Sequence, residues 1–523
     1  MFDKPKQLEL NEFFVRALDV MENSSKNIFI TGKAGTGKST LLQYFRTETR
    51  KDVVVLAPTG VAAVNVQGQT IHSFFRFKPD ITTDKVKNIR LRKNQKNIYQ
   101  NIDAIVIDEI SMVRSDLLDC VDAFLRLHGK NKKAPFGGVQ MVFIGDLYQL
   151  SPVVSSGERH IFKDAYASPY FFHSKVFENL PLEFVELEKI YRQKDNDFIS
   201  LLNAIRNNSA TDGHLQKLNQ RFLPDFTPAR SDFYIYLTTT NALADEINRQ
   251  ELAKLKAPLC SYEGEISGDF DQKSFPTQPL LEVKAGAQIM LLNNDPTGRW
   301  VNGSIGKITA IKKRKNSFDG IEVELADGRI VEVGPFTWEM FRFVYDADSQ
   351  TLDSETVGSF TQYPLRLAWA VTIHKSQGKT FDKVIIDIGR GTFAHGQMYV
   401  ALSRCTSFEG IVLKKPIDKK HIFMDWRVVR FMTQYQYRKS EEQCSLKDKI
   451  KILEQAIMDE KAINIIYLKA NDEKTRRVIS PRVVGEMEYL GKMYLGVQAY
   501  CHVRQQERVF RVDRILEIKE VKE

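Results

Sequence analysis

The stretch Ile28–Leu42, IFITGKAGTGKSTLL, constrains the fold more than any other part of this chain. A buried strand is predicted from Asn27 to Ile30, and Gly32 then opens the pattern G-x-x-x-x-G-K-[ST]. The glycines let backbone N–H groups approach a phosphate without a clashing Cβ, and the helix that follows points its positive N-terminus at the anion. The strand, loop and helix together predict a nucleotide-binding P-loop.

Each residue type in this loop has an expected role. Lys38 can reach the β- and γ-phosphates, and the Ser39 hydroxyl can hold Mg²⁺. A chance glycine-rich turn is the alternative, but the flanking strand and helix disfavour it. The predicted cofactors are therefore ATP and Mg²⁺. The residues expected to bind the nucleotide in this loop are Gly32, Gly35, Thr36, Gly37, Lys38, Ser39 and Thr40.

Composition excludes some classes of protein. The chain has 75 Lys and Arg residues against 66 Asp and Glu, a formal net charge of +9. This excess suits ordinary surface charge as well as a nucleic-acid partner, so a partner needs support from motifs. The five cysteines show no C-x-x-C spacing, which disfavours a disulfide framework and a zinc site. Without a signal pattern or a run of ~18 apolar residues, we expect a cytoplasmic protein with no membrane span.

Short apolar runs that alternate with helical stretches predict a parallel α/β sheet. The predicted strands lie at 53–58, 102–108, 141–146, 233–240 and 383–388. Residues 281–365 differ, because short β-like runs there are separated by Asp-Gly and Asn-Gly turns. They predict a small antiparallel or barrel-like insertion.

The C-terminal part is predicted to be a separate domain. Residues 438–448 are interpreted as a linker, in which Ser445 and Asp448 resemble a helix capping box. Apolar residues then follow at helical spacing, at Leu446, Ile450, Leu453 and Ile457. Residues 463–519 are predicted to form several strands.

Acidic and amide side chains at strand ends are candidates for hydrolysis of the nucleotide. Asp108 follows a buried strand and can bind Mg²⁺, while Glu109 can orient or deprotonate the attacking water. A surface turn is the alternative for this pair. Gln149 ends the next strand and can hydrogen-bond water or the γ-phosphate, although this signal is weak by itself.

Two arginines beyond the first α/β block are candidate arginine fingers. Arg192 and Arg404 could place positive charge on the γ-phosphate in the transition state, which is worth ~10³–10⁵ in rate. Two blocks that share ATP in this way would close on binding and part after hydrolysis. On spacing alone, both arginines could equally be salt-bridge partners.

The motifs, in this order, closely resemble superfamily 1B DNA helicases of the petite-integration-frequency (PIF) type over residues 1 to 430. They are GKAGTGKST, APTGVAAVNVQGQTIHSFF, VIDEISMV, PFGGVQMVFIGDLYQLSPV, LEKIYRQ, TIHKSQGKTFD and GQMYVALSR. The resemblance implies an α/β protein with two RecA-like motor domains. It also implies an ATP-driven enzyme that moves 5′ to 3′ on single-stranded DNA and unwinds tailed duplex DNA.

The resemblance also implies domain boundaries. It places a small wedge insertion in the first motor, where the basic segment 84–97 suits DNA, and an SH3-like β insertion in the second. The expected ranges are 1–185 for the first motor with its wedge at about 76–100, 186–437 for the second motor with its insertion at about 295–362, 438–448 for the linker and 449–523 for the last domain.

Candidate DNA contacts follow from the resemblance by matching position. They are Pro58, Thr59, Gly60, His72, Phe74, Thr372, His374, Lys375 and Ser376. Hydroxyls, lysines and backbone amides grip phosphate without reading sequence, and an aromatic ring can stack on a base. Core packing is the alternative for Phe74, as a buried structural role is for His374. Gly378, in the same motif, is assigned to the nucleotide site.

One position departs from the family. Its members carry a glutamine near the start that reads adenine, but this sequence has Phe14 in that place. Gln7 lies too far upstream to substitute for it. Adenine selectivity is therefore not predicted.

The C-terminal segment resembles a WYL domain. The residues that carry the resemblance are Arg477, Pro481, Tyr494, Leu495, Tyr500, Cys501, Arg508, Phe510, Arg511, Asp513 and Arg514. A WYL domain implies a small β-barrel that binds nucleic acid or an anionic ligand, and strand alternation could place several of its arginines on one face. Solvated surface arginines are the alternative.

Two functions from different classes remain open. The first is a DNA helicase that uses the WYL-like domain as an accessory binding module. The second is a DNA- or ligand-responsive ATPase regulator that uses the domain as a sensor. The sequence leaves open whether forks, G-quadruplexes or DNA–RNA hybrids are the preferred substrate.

Overall fold

The computed structural model divides into two compact units, Met1–Leu202 with Asp212–Ile422 and Asn203–Thr211 with Phe423–Glu523. It describes residues 10–520 except 92, 155–161, 163–164, 316, 347–350, 390, 393 and 490, and it does not describe the side chains of 93–96, 273, 346, 351–352 and 520. Gln7 therefore lies outside the described residues, and so does Arg92, which belongs to the basic segment 84–97.

The first parallel sheet contains the P-loop strand. Its strands, in spatial order, are Gln69–Thr70, Val53–Ala57, Ala104–Ile107, Gln140–Ile144, Asn27–Gly32 and Leu182–Leu187. All pairs are parallel, as the apolar runs predicted. Since parallel strands end at one edge, the P-loop, Asp108 and Asp146 leave neighbouring strands side by side.

Helices connect these strands, and several begin at a side-chain cap. Asn11, Thr59, Thr70 and Thr82 each accept a backbone N–H three residues later, which satisfies one of the unpaired donors of a helix start. The helices of this part are Glu12–Asn23, Lys38–Glu48, Gly60–Asn65, Ile71–Phe75, Thr83–Val86, Lys93–Asn101 and Ser115–His128.

A second parallel sheet has four strands, two of which were predicted from the sequence at 233–240 and 383–388. In spatial order they are Ala370–Thr372, Ile235–Thr238, Val384–Asp387 and Ile411–Leu413. The helices that accompany them in the chain are Asn196–Arg206, Asp212–Asn219, Asn241–Ala253 and Gln397–Leu402.

The predicted insertion is antiparallel. A five-stranded sheet runs in the order Ile330–Val333, Gly320–Leu325, Ile305–Lys312, Gln288–Leu291 and Leu365–Leu367. Smaller antiparallel pairings join Phe336–Asp346 to Thr351–Gln362, the latter to Glu265–Gly268, and Leu280–Val283 to Cys260–Glu263. Its own apolar core, which includes Trp300, Ile308 and Val323, holds the five-stranded sheet together.

The C-terminal unit contains a five-stranded antiparallel sheet. Its strands lie in the order Gln506–Arg511, Lys492–Cys501, Lys474–Tyr489, Ile463–Leu468 and Ile515–Glu520, and its long helices are Trp426–Gln443 and Leu446–Met458. The Ser445 side chain accepts the Asp448 N–H, so the predicted helix start is confirmed.

The predicted linker 438–448 is wrong. Only Cys444 and Ser445 separate the two long helices, because the charged run RKSEEQ consists mostly of good helix formers. The run is also anchored, since Ser440 is buried and its hydroxyl donates to the Leu516 carbonyl oxygen at 2.7 Å.

No helix in the described part of the chain has the length and apolar character needed to cross a bilayer. The five cysteines are all free thiols.

Candidate functional site

The P-loop turns directly from its strand into its helix. Gly35 and Gly37 have φ of +79° and +88°, in the left-handed region that glycine tolerates, and Gly37 caps the helix that begins at Lys38. A Cβ at Gly35 would lie 2.5 Å from the Cβ of Arg192. Glycine is therefore needed here both for backbone conformation and for the close approach of a predicted arginine finger.

The remaining P-loop residues lie in the loop before the helix Lys38–Glu48 and in the first turn of that helix. The Lys38 ammonium donates to the carbonyl oxygens of Gly32 and Lys33 at 2.7 and 3.1 Å. Thr36 is buried and Ser39 is exposed on the first helical turn. Because the first N–H groups of a helix lack partners within it, this turn presents donors to an anion.

Two acids follow the neighbouring strand: Asp108, whose side chain is buried, and Glu109, which is half-buried. Burial raises the pKa of both Asp108 and Glu109; the Asp108 charge raises that of Glu109 further, while Lys38 lowers both. Glu109 also has a φ of +50°, which is unusual for a residue with a side chain. Paired, desolvated carboxylates favour a bound cation or proton, as a metal ligand and a general base require.

Gln377, which was not predicted from the sequence, reaches Glu109 from the loop that follows the strand Ala370–Thr372. Its Nε2 donates to Glu109 Oε2 at 2.9 Å. The residue lies in TIHKSQGKTFD, between the predicted positions Ser376 and Gly378. Its amide side chain, inside a recognised motif, was the sequence feature that could have identified it. Gly378 has a φ of +77°, and its nucleotide role stays a prediction.

Arg404 is 1% exposed, yet its guanidinium is bound only to neutral groups among the described residues. It donates to the carbonyl oxygens of Val400 and Lys379 at 2.9 and 3.3 Å, to that of Ser376 at 3.4 Å, and to the Ser403 hydroxyl at 3.0 Å. Burial and the nearby Arg192 lower the pKa of Arg404 to about 9. Its charge is thus held without an ion pair, which disfavours the salt-bridge alternative.

Arg192 joins the P-loop to the same helix end. Its Nη1 donates to the Ser403 carbonyl oxygen at 3.0 Å, and burial lowers its pKa. The Tyr191 N–H donates to the Gly35 carbonyl oxygen at 2.8 Å. The two predicted fingers and the P-loop therefore lie together.

Gln149 is also at this junction. It is 6% exposed, and its Nε2 donates to Asp146 Oδ2 at 3.1 Å. The backbone carbonyl oxygen of Gln149 would lie 2.3 Å from a Cβ at Gly396, which precedes the helix Gln397–Leu402. Arg404 follows two residues after that helix ends. The predicted γ-phosphate contact of Gln149 stays a prediction.

Phe14 supports the loop by packing. It is 1% exposed, and its ring would lie 3.0 Å from a Cβ at Gly37. The place of the family's adenine-reading glutamine is thus a core position without a polar group.

The predicted DNA contacts of the first sheet follow the strand Val53–Ala57. Thr59 is exposed and its hydroxyl accepts the Ala62 N–H, which caps the helix Gly60–Asn65; Pro58 and Gly60 are half-buried. His72 is half-buried as well, and burial lowers its pKa.

The matching contacts of the second sheet follow Ala370–Thr372. Lys375 is exposed, whereas Ser376 is fully buried and donates to the Ile373 carbonyl oxygen at 2.7 Å. The Thr372 hydroxyl accepts the Lys375 N–H at 3.2 Å. His374 is half-buried, and burial lowers its pKa. This segment therefore offers its backbone amides and the Lys375 side chain for contact with DNA, whereas its hydroxyls are bonded within the loop.

The predicted stacking role of Phe74 is not supported. The side chain is 5% exposed and packs edge-to-face against Phe75, Tyr99 and Phe343. These surroundings match the alternative of core packing. Burial of an apolar ring is favourable in free energy, and the ring would have to leave this core to stack on a base.

The prediction that strand alternation gathers the C-terminal arginines is wrong for part of the set. Arg508 lies opposite the core residue Ala499, whereas Arg511 lies opposite Gly496. Positions three apart in a strand point to opposite faces, so these two arginines are separated. Arg511 is in addition paired with Asp513 at 2.6 Å.

Comparison with known proteins agrees with this site. The PIF1-like helicase family model matches residues 9–216, and the WYL domain model matches residues 448–520. An ATP-dependent DNA helicase Pif1 from Bdellovibrio bacteriovorus is 31% identical over 442 residues, which cover 82% of this chain and 93% of the relative.

Solved structures give the same result. Bacteroides sp Pif1 in complex with ADP-AlF4 has a TM-score of 0.75 at 37% identity, covering 82% of this chain and 97% of that one. The Bacteroides Pif1 helicase in complex with ADP-AlF3 and ssDNA has a TM-score of 0.60 at 36% identity, covering 82% and 98%. The chain therefore belongs to the PIF1-like helicase family and carries a WYL domain at its C-terminus.

Proposed function

We propose that this protein is an ATP-dependent DNA helicase that moves 5′ to 3′ on single-stranded DNA and unwinds tailed duplexes. The observation that carries the proposal is the composite site, in which Gln377 and Arg404, from the part of the chain that contains the second sheet, lie beside Glu109 at the end of a strand of the first. A nucleotide held between two sheets can convert phosphate chemistry into their relative movement.

Each residue has a step in hydrolysis. Glu109 accepts a proton from the attacking water, and the Gln377 amide orients the carboxylate by donating to its other oxygen. Lys38, Arg192 and Arg404 stabilise the charge that develops on the γ-phosphoryl group, which has little covalent chemistry for a protein to assist.

Ser39 and Asp108 would hold Mg²⁺ with the nucleotide. Their hydroxyl and carboxylate oxygens are the hard ligands that this ion prefers. Asp108 is buried, and this burial raises its pKa and favours a bound cation beside the carboxylate. Among the described residues no group of three or more His, Cys, Asp and Glu side chains could hold a metal. An ion held by Ser39 and Asp108 would be bound largely by phosphates and waters, and it would neutralise phosphate charge.

DNA binding is proposed along Pro58–Gly60 and Thr372–Ser376. Exposed Thr59 and Lys375, together with backbone amides, suit phosphate contacts that do not depend on base sequence. The relative solved with ssDNA supports this partner. The wedge at about 76–100 and the SH3-like insertion at about 295–362 are kept as proposals, as is a cytoplasmic location.

The WYL domain is proposed to be an accessory module for nucleic acid or an anionic ligand. Arg508 is exposed on the outermost strand of its sheet, which suits phosphate. The competing function, a regulator whose ATPase responds to a ligand at this domain, uses the same residues without strand separation.

The test compares ATP turnover with and without single-stranded DNA and then follows unwinding of duplexes with a 5′ or a 3′ tail. We expect DNA to stimulate turnover and only the 5′-tailed duplex to be unwound. Turnover that ignores DNA would contradict a helicase. DNA-stimulated turnover with no unwinding of either duplex would favour the regulator.

A further inference from the structure

The helix Gly60–Asn65, which follows the proposed DNA contacts, is held at its C-terminal end by side chains from distant parts of the chain. Arg46, in the last turn of the P-loop helix, donates to the Val66 carbonyl oxygen and, at 3.2 Å, to that of Gln67. The Asn65 side-chain oxygen accepts from Asn302 Nδ2 at 3.1 Å. One helix end is thus tied both to the P-loop helix and to the antiparallel insertion.

Asn302 uses both ends of its amide. While Nδ2 donates to Asn65, Oδ1 accepts from the Lys379 ammonium at 2.7 Å. The Asn302 N–H donates to Asn294 Oδ1 at 2.8 Å, which fixes its backbone. Only one amide orientation satisfies both side-chain partners, because a flipped amide would turn its NH₂ toward the ammonium.

Lys379 begins this series beside the catalytic groups. It lies two residues after Gln377, which contacts Glu109, and its carbonyl oxygen accepts from Arg404 at 3.3 Å. Burial, aided by Arg366, lowers the pKa of Lys379 to about 8. Among the described residues Lys379 forms no ion pair, and its side-chain partner is the neutral amide of Asn302. Burying an ammonium group without an opposite charge costs folding free energy.

We propose that the series Lys379–Asn302–Asn65 is a positioning relay that couples the state of the ATP site to the helix that follows the DNA contacts. The proposal rests on the proposed helicase function. Loss of the γ-phosphate changes what Arg404 and Gln377 contact, and both are joined to Lys379 through a few bonds. Asn302 transmits that displacement to Asn65, and thus to the helix that Thr59 caps.

The test uses the full chain with three substitutions in the relay: Asn302→Ala, Asn65→Ala and the conservative Asn65→Asp. Two substitutions of exposed residues, Asn179→Ala and Lys256→Met, are the controls. Turnover without DNA, turnover at saturating single-stranded DNA, DNA affinity and Tm are measured for each. We expect Asn302→Ala and Asn65→Ala to lose about tenfold of the DNA stimulation, a usual size for coupling between sites. DNA-free turnover should change less than about twofold.

Asn65→Asp keeps an oxygen for Asn302 Nδ2 and should retain stimulation near that of the controls. Equal loss of DNA-free and DNA-stimulated turnover in Asn302→Ala would mean a structural role and would overturn the relay. Unchanged stimulation in Asn302→Ala would overturn it as well. Absence of DNA stimulation in the unsubstituted protein would instead contradict the proposed function.

Discussion

The nucleotide site and the proposed DNA-binding segments, Pro58–Gly60 and Thr372–Ser376, leave the same two sheets but use side chains in opposite ways. At the nucleotide site, the charge of Arg404 is buried and held by neutral hydrogen-bond partners, and the half-buried Glu109 accepts a hydrogen bond from the neutral Gln377. Along the DNA-binding segments, the hydroxyls of Thr372 and Ser376 are bonded to their own loop.

The difference follows from the chemistry at each place. Stabilising a transition state requires charges that are already positioned and desolvated before the substrate arrives. Movement along DNA requires contacts that any sequence can make and that can be released, for which backbone amides and an exposed lysine suffice. Substitutions at the nucleotide site should therefore abolish chemistry, whereas those along the DNA-binding segments should weaken binding in small steps.

The largest expected effect is at the general base. Glu109→Gln should lower DNA-stimulated turnover by about 10²–10⁴-fold, because an amide cannot accept the proton. ATP affinity, measured by fluorescence titration, should be retained. The exposed acid Glu178, changed to Gln, is the matched control. Turnover equal to that control would remove Glu109 from this role.

The next effect concerns Phe74, which tests whether it belongs to the core. Phe74→Ala should reduce the free energy of unfolding by about 3–5 kcal/mol, as expected for a buried ring that leaves a cavity. Denaturant unfolding measures this directly. A variant with normal stability but weakened DNA binding would restore the stacking role that the burial of Phe74 disfavours.

Gln377→Ala should have an intermediate effect. Loss of a hydrogen bond to a charged group should cost about ten- to a hundredfold in turnover, with DNA affinity unchanged. Steady-state kinetics at saturating DNA gives the value. An effect on DNA affinity alone would place Gln377 with the DNA-binding segments and erase the contrast between the two regions.

The smallest effect is expected at Lys375. Lys375→Ala should weaken DNA binding a few-fold and reduce the slope of log affinity against log salt by about one. Turnover at saturating DNA should match that of Lys256→Ala, an exposed control. An unchanged salt slope would exclude Lys375 from phosphate contact.

The sequence predicted what is local and missed what is distant. The P-loop, both parallel sheets and the Ser445 cap follow from short patterns, because neighbouring residues determine strands and caps. The pairing of Gln377 with Glu109 joins positions 268 residues apart, which periodicity does not report. Asn302, in a loop of the insertion, carries no motif at all.

One wrong prediction, the linker, and one that burial disfavours, the stacking role of Phe74, have a common cause. The composition of the run RKSEEQ suggests an exposed linker, and the motif around Phe74 suggests an exposed ring. In both cases tertiary packing determines the observed conformation and burial. Ser440 anchors the first in a helix, and three aromatic neighbours enclose the second. Composition describes what a segment tolerates, while burial depends on partners elsewhere in the chain.

The central claim, that the two sheets share one ATP site, is tested most directly by single-turnover hydrolysis in Arg404→Ala, with ATP affinity measured separately. Arg404 lies between the helix Gln397–Leu402 and the second-sheet strand Ile411–Leu413, and its charge should act mainly on the transition state. We expect a hydrolysis rate lower by about 10³-fold or more, with ATP affinity changed only a few-fold. A normal hydrolysis rate once ATP is bound would contradict it.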